Sequence, residues 1–304
     1  MPETTGPLNF RTLYDSPMIA VRDYVCRHDH RETSAEEGSD SNSITLMRYG
    51  AFARHFGRRK VTSDVNQASF FSRGSVYRVS HPNGCGDRGT SIVAAESILT
   101  DVIRELDPAI DERPDDPFPF ASGPCDTEIF LRHRDYVRRL ESAATEPLEP
   151  LWADITGLQL IADVLEAAYR HTGDKPRRRR STSKDHAERA EAAKAYIANH
   201  LGENITLADI AAAANASPFN FARLFHQQTG MPVHRYLTRL RLRTSLERIA
   251  EPGADLTSIA LDLGFSSHSH FTDVFRREFG KTPSDIRSTA NNYLLNQMSK
   301  DLIA

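Results

Sequence analysis

The chain has few cysteines, no long apolar run and almost no net charge, and each shortage excludes something. Its three cysteines, Cys26, Cys85 and Cys125, are odd in number and widely spaced, which rules out the disulfide framework of a small secreted domain and leaves reduced thiols as the expectation. No uninterrupted apolar stretch approaches the roughly 18 to 20 residues that a bilayer span needs, and MPETTGPLNFRTLYDSP lacks a basic start followed by an apolar core. A cytoplasmic protein with no membrane partner is therefore expected. A formal net charge of -3 describes neither a nucleic-acid coat protein nor a polyanionic tail, so a polyanion would have to be met by a local basic patch. The sequence also lacks a serine or cysteine in a nucleophile elbow and a phosphate-cradling glycine loop ahead of a helix, so no enzyme is expected.

What is present divides the 304 residues, 39% of them hydrophobic and 26% charged, into two domains with separate cores. From about residue 18 to 100 short β-like runs (IAVRDYV, SITLMRY, AFARHF, FFSRGSVYRVSHP) alternate with Gly, Pro and Asn punctuation, and the acidic, serine-rich RETSAEEGSDSNS between them reads as a solvated loop. Residues 1–110 are thus expected to form a small antiparallel barrel or sandwich. Residues 111–172 carry two amphipathic helices. In the second, Leu151, Ile155, Leu158, Ala162 and Leu165 recur at three or four residue steps and would pack either on the chain's own barrel or on a second copy. The stretch GDKPRRRRSTSKDH has no apolar period, and 173–185 reads as a basic linker, either a tether or a phosphate contact. Residues 186–290 read as helix throughout, followed by a tail at 291–304.

Within that helical region one pattern occurs twice, about fifty residues apart. Leu207, Ile210, Ala211 and Ala214 repeat as Leu256, Ile259, Ala260 and Leu263, each the buried stripe of a short first helix. Thr206 and Asp209 form a capping box, and Asp255 can cap the second copy. A short turn follows, at Asn215 and Ala216 in one copy and at Gly264 and Phe265 in the other, where the spacing is one residue longer. On the second helices Phe221, Leu224 and Phe225 match Phe271, Val274 and Phe275 as the buried set. Phe219, Asn220, Ala222, Arg223, His226 and Gln227 then point outward in one copy, and Ser269, His270, Thr272, Asp273, Arg276 and Arg277 in the other. Helix, tight turn and helix with a polar outer face describe a helix-turn-helix, whose second helix enters the major groove. Between the copies, Gly230 to Pro252 bracket one long helix with Val233, Leu237 and Leu240 starting its buried stripe. Its Arg239, Arg241 and Arg243 would serve phosphates or internal ion pairs.

These residues resemble the DNA-binding domain of the AraC/XylS family of bacterial transcription regulators over about residues 186 to 290, in SPFNFARLF, G-x-P-x-x-Y at Gly230 to Tyr236, RLRL and IALDLGFSSHSHFTDVFRREFGKTPSDIR. The resemblance implies double-stranded promoter DNA as partner, with RNA polymerase as a further one. It places base reading on the start and outer face of each second helix: Phe219, Ala222 and Arg223, then His268, Ser269, His270, Thr272 and Asp273, with Asn220 and Arg276 on the same faces. Asp273 departs from the family pattern, because a carboxylate stands where the first copy has Arg223. The amino-terminal part is more loosely similar to the cupin-like sensor domains that precede this domain in relatives and that bind small-molecule effectors or form homodimers. The expected fold class is α+β multidomain: an antiparallel, cupin-like β-barrel with two helices, then an all-α domain with two helix-turn-helix motifs joined by a long helix.

Cys26, His28 and His30 form C-x-H-x-H, but donors on neighbouring positions of one strand cannot close a tetrahedron without help from elsewhere. His81 and Cys85 in SHPNGCGD read as turn residues. No metal and no cofactor is expected. The competing function is a cupin-type metalloenzyme with a helical appendage.

Overall fold

The computed structural model describes residues 8–27, 32–84, 86–144, 148–173, 180–251 and 253–289. Nine strands come first: β1 (Leu8–Asp15), β2 (Ile19–Cys26), β3 (Glu37–Gly38), β4 (Ser43–Tyr49), β5 (Ala51–Phe56), β6 (Arg59–Asp64), β7 (Gln67–Phe71), β8 (Val76–Ser80) and β9 (Asp87–Ala94). After α1 (Glu96–Leu106) comes β10 (Ser122–Pro124), then α2 (Thr127–Glu141) and α3 (Pro150–Gly173). The carboxy-terminal part holds α4 (Arg180–Asn199), α5 (Leu207–Ala213), α6 (Pro218–Thr229), α7 (Val233–Ile249), α8 (Leu256–Asp262) and α9 (His268–Phe279). The chain is thus a mixed α+β protein, with an antiparallel β part ahead of a helical part, as the sequence pattern predicts.

The strands form two sheets, ordered β1-β2-β9-β4-β7-β10 and β3-β8-β5-β6. They do not close into the barrel that the sequence allowed. The edge of β7 that could have met β6 is taken by β10, with Gly123 opposite Ala68, so the sheets stay separate. Arg54 ties them together instead: from β5, fully buried, it donates to the carbonyls of Phe70 and Ala121 and stacks 4.0 Å over the Phe71 ring. Strand β1 is an addition to the sequence reading, which starts its strands at about residue 18. Its weak signal has a reason, since LNFRTLYD is an edge strand with no fully buried residue.

Helix α3 packs through Ala153, Leu160, Ile161, Val164, Leu165 and Ala168, all buried. It therefore carries two apolar stripes, and the one that includes Ala153, Gly157 and Ala168 faces inward, where a Cβ on Gly157 would stand 2.4 Å from the Ile19 side chain. Of the stripe read from sequence only Leu165 is buried, whereas Leu151 and Ile155 remain 68% and 58% exposed.

In the helical part the caps read at Thr206, Asp209 and Asp255 are formed. Thr206 and Asp209 form a reciprocal capping box on α5, Asp255 caps α8 through the Thr257 and Ser258 amides, and Thr282 with Asp285 caps the stretch at 283–289. Helix α4 starts at Arg180, inside the stretch read as linker, and residues 174–179 lie outside the described residues. Phe221, Phe225, Phe271 and Phe275 are fully buried, and each is a residue whose truncation to alanine costs about 3 to 5 kcal/mol. Leu207 departs from its expected place in the first stripe, being 41% exposed at the first position of α5, while Ile210, Ala211 and Ala214 are buried.

The two parts share a buried polar contact. Lys194 of α4 donates to the Thr62 carbonyl at 2.7 Å and to Gln67 Oε1 at 3.0 Å, and pairs with Glu191 at 2.7 Å. From α7, Tyr236 donates to Asp64, and Arg243 donates to the carbonyls of Val65 at 2.7 Å and Cys125 at 2.9 Å. Helix α7 is consequently buried on two sides, which explains why Arg243, Thr244 and Ser245 are buried beside Leu240 and Leu246.

Candidate nucleic-acid interface

The two helix pairs turn in the same way. After α5, Asn215 at φ 49° adopts the left-handed conformation, with its amide on Ala212 O and the Ala216 amide on Ala211 O, both at 3.0 Å. After α8, Gly264 at φ 76° takes that place, with its amide on Leu261 O at 2.9 Å and the Phe265 amide on Ala260 O at 3.0 Å. Asparagine and glycine are the residues that tolerate this region, so each turn is specified locally. The second turn is one residue longer, as the spacing predicts, and Ser267 caps α9 by accepting from the His270 amide at 3.1 Å. Ser217 makes no side-chain cap, and Pro218, the first residue of α6, has no amide hydrogen to satisfy.

None of the ten residues assigned to DNA reading is buried. Phe219, 83% exposed, stands with Asn220 and Arg223 on the outside of α6, and Ala222 is half-buried beside them. On α9, Ser269, His270, Asp273 and Arg276 are exposed, and His268 and Thr272 are half-buried. The Thr272 hydroxyl is turned inward, with no hydrogen-bond partner among the described residues, so it offers a base little beyond its methyl group. The faces differ in charge. Helix α6 contains no acidic residue, whereas α9 carries Asp273 on its outer face and Glu278, whose carboxylate is taken up by Arg239 at 2.7 Å and by Thr127.

The three α7 arginines for which the sequence left two roles open, Arg239, Arg241 and Arg243, are engaged inside the protein. Arg239 pairs with Glu278, Arg243 is fully buried, and Arg241 donates to the carbonyls of Leu201, Gly264 and Glu203 at 2.8, 2.9 and 2.6 Å. Burial holds the Arg241 and Arg243 guanidiniums below their ordinary pKa. Of the basic run, Arg177 to Arg179 lie outside the described residues.

A cavity of about 630 Å³ opens in the β part, with Phe10, Tyr24, Phe52, Phe71 and Tyr77 among its lining residues. Sequence reasoning missed its polar end. His81, read from sequence as a turn residue, is buried, and its Nε2 lies 2.6 Å from Asp87 Oδ2. Burial disfavours its charged ring, but hydrogen bonds to Asp87 and Cys26 outweigh that and raise its pKa to about 9. Cys26 belongs to this cluster, while His28, His30 and Cys85 lie outside the described residues. The strand register that joins Cys26 to Asp87 has no signature in the spacing of the sequence.

Comparison with known proteins bears on the helical part. A family model described as a helix-turn-helix domain matches residues 210–289. The HTH-type transcriptional activator RhaS of Escherichia coli is 34% identical over 108 residues, covering 36% of this chain, and the match spans only 39% of the length of that curated relative. Among solved structures, a transcriptional regulator of Chromobacterium violaceum, of the AraC-type DNA-binding domain-containing proteins, is similar at 27% identity and TM-score 0.32, over 34% of this chain and 91% of that one. ToxT from Vibrio cholerae is similar at 12% identity and TM-score 0.34, over 88% of this chain and 96% of that one.

Proposed function

We propose that the protein is a sequence-specific transcription regulator of the AraC/XylS type, reading promoter DNA with α6 and α9; the helix-turn-helix match over residues 210–289 and the similarity to RhaS support this reading. The observation that carries this reading is the repeated unit itself: two helix pairs with the same hydrogen-bonded turn, the same buried phenylalanines and outer faces left open. Set in successive major grooves, the two helices would read sites about 34 Å apart on one side of the duplex. Phe219, Asn220, Ala222 and Arg223 serve one half-site, and His268, Ser269, His270, Thr272, Asp273 and Arg276 the other. Arginine can donate two hydrogen bonds to guanine, which makes Arg223 the strongest single reader.

In this reading the β part is a cupin-like sensor whose cavity takes a small-molecule effector, and residues 111–172 contribute a dimer contact through the exposed Leu151 and Ile155. The protein acts in the cytoplasm, with RNA polymerase as a further partner, and performs no catalysis. The buried contacts of Lys194, Tyr236 and Arg243 support communication between sensor and reader, because α7 lies between the two helix pairs and also touches β6–β7.

Selection of bound sites from random duplex DNA with the full chain tests the reading. The expected product is a motif with two half-sites about one helical turn apart, bound with strong salt dependence. Recovery of no motif above the non-specific background would sink it. Turnover of a small molecule by the metal-loaded protein would instead favour the metalloenzyme reading, for which the cluster of Cys26, His81 and Asp87 is the supporting observation.

A further inference from the structure

Three side chains of different chemistry meet at the polar end of the β cavity. Cys26 closes β2 directly opposite Asp87, which opens β9, and His81 follows β8. One donor atom from each, a sulfur, a ring nitrogen and a carboxylate oxygen, lie within 4.8 Å of one another, and all three residues are buried. All three line the cavity of about 630 Å³. This crowding depends on Gly86, where a Cβ would stand 1.9 Å from the Cys26 carbonyl oxygen. Tyr24 lines the same cavity, and burial, together with the Asp87 carboxylate that its hydroxyl faces, raises its pKa.

A buried carboxylate beside a thiol is costly unless its charge is balanced by a partner of opposite sign. A thiolate and a carboxylate with a neutral imidazole carry two negative charges, which one divalent cation balances. Bonds of about 2.0 to 2.3 Å to a tetrahedral zinc set ligand atoms roughly 3.3 to 3.7 Å apart, a spacing this cluster meets with side-chain shifts of about 1 Å. Sulfur, nitrogen and oxygen together suit a borderline-soft ion and not calcium or magnesium, which demand oxygen.

We propose that Cys26, His81 and Asp87 form a binding site for a zinc-class divalent cation, with its fourth coordination position open to the cavity. Three protein ligands and one exchangeable position are the arrangement of sites that bind a further molecule, whereas structural zinc sites are closed by four protein ligands. An oxygen or nitrogen donor of a small molecule in the cavity could then coordinate the ion directly.

The test uses the full chain, stripped with a chelator and titrated with Co²⁺ and then Zn²⁺. One equivalent of Co²⁺ should give intense visible bands of a four-coordinate ion and a near-ultraviolet thiolate charge-transfer band, both bleached by Zn²⁺. Cys26→Ser should abolish the charge-transfer band, and Cys26→Ser and Asp87→Asn should each weaken Zn²⁺ binding more than about 100-fold, beyond the loss expected for a merely supporting hydrogen bond. Zn²⁺ should also protect Cys26 from alkylation in the wild-type protein, a readout that does not depend on the variants folding. Absence of the charge-transfer band in the folded wild-type chain, or equal alkylation with and without Zn²⁺, overturns the site. Because none of these measurements involves DNA, failure here is distinguishable from failure of the regulator reading.

Discussion

Tyr236 of α7 donates its hydroxyl to the carboxylate of Asp64 at the end of β6, and both side chains are fully buried between the two parts of the chain. Burial raises the Asp64 pKa, opposed by the Tyr236 hydroxyl, the Asn66 amide at 2.8 Å and the charges of Lys194 and Arg243. Removing one donor from this carboxylate leaves part of its desolvation uncompensated. Tyr236→Phe should therefore lower the stability of the full chain by about 1 to 3 kcal/mol, read from urea unfolding at neutral pH. An unchanged midpoint would mean that the contact contributes nothing to holding α7 on the sheet.

The proposal gives Arg223 and Arg241 opposite roles, one toward DNA and one inside the protein, and substitution separates them. Arg223 is exposed on α6, so Arg223→Ala should relax selection at one or two base pairs, a loss of about 1 to 3 kcal/mol in discrimination, with stability retained. Arg241 spends its guanidinium on three carbonyls, so Arg241→Ala should lower stability and leave the selected motif unchanged. Site selection with both variants, beside their urea midpoints, checks the assignment. A motif altered by Arg241→Ala but not by Arg223→Ala would reverse it.

The contrast between these arginines shows which information the sequence carries. Capping boxes, the turns at Asn215 and Gly264 and the phenylalanine sets were legible because each depends on residues within a few positions of one another. The roles of Arg239 and Arg243 were not, since their partners Glu278 and the Val65 carbonyl come from distant parts of the chain. The same holds for the open sheets, decided by whether β10 or β6 pairs with β7, and for the cavity cluster, in which Cys26 meets residues more than fifty positions away. Helix α3 was half legible. Its period is plain, but two stripes of the same period on different faces compete, and the close approach at Gly157 and Ala168 favours the buried one.

That choice leaves the other stripe of α3 for a partner. Leu151 and Ile155 are exposed and one turn apart, beside the half-buried Leu158 and Ala162. If this stripe holds a second copy of the chain, Ile155→Glu should shift the protein from dimer to monomer in sedimentation experiments. Because Ile155 makes little contact within its own chain, stability of the monomer should change by less than about 0.5 kcal/mol. A dimer that survives the substitution would place the contact elsewhere.

His133 of α2 supplies a prediction in pH. It is fully buried, and neither ring nitrogen has a hydrogen-bond partner among the described residues. Burial first, then the charges of Arg48 and Arg134, hold its pKa well below the ordinary 6.5. The folded ring stays neutral where the unfolded chain already takes a proton. This stability is therefore fully present above about pH 6.5 and is lost as pH falls from there toward the depressed folded value. One pH unit below the unfolded value, the loss from this group alone reaches about 1.4 kcal/mol. His133→Leu removes the titrating ring while keeping an apolar side chain of comparable size. Urea midpoints at about pH 7.5 and 5.5 should then lie closer together for the variant than for the wild type. Equal separation in both would show that His133 takes up its proton without unfolding the site.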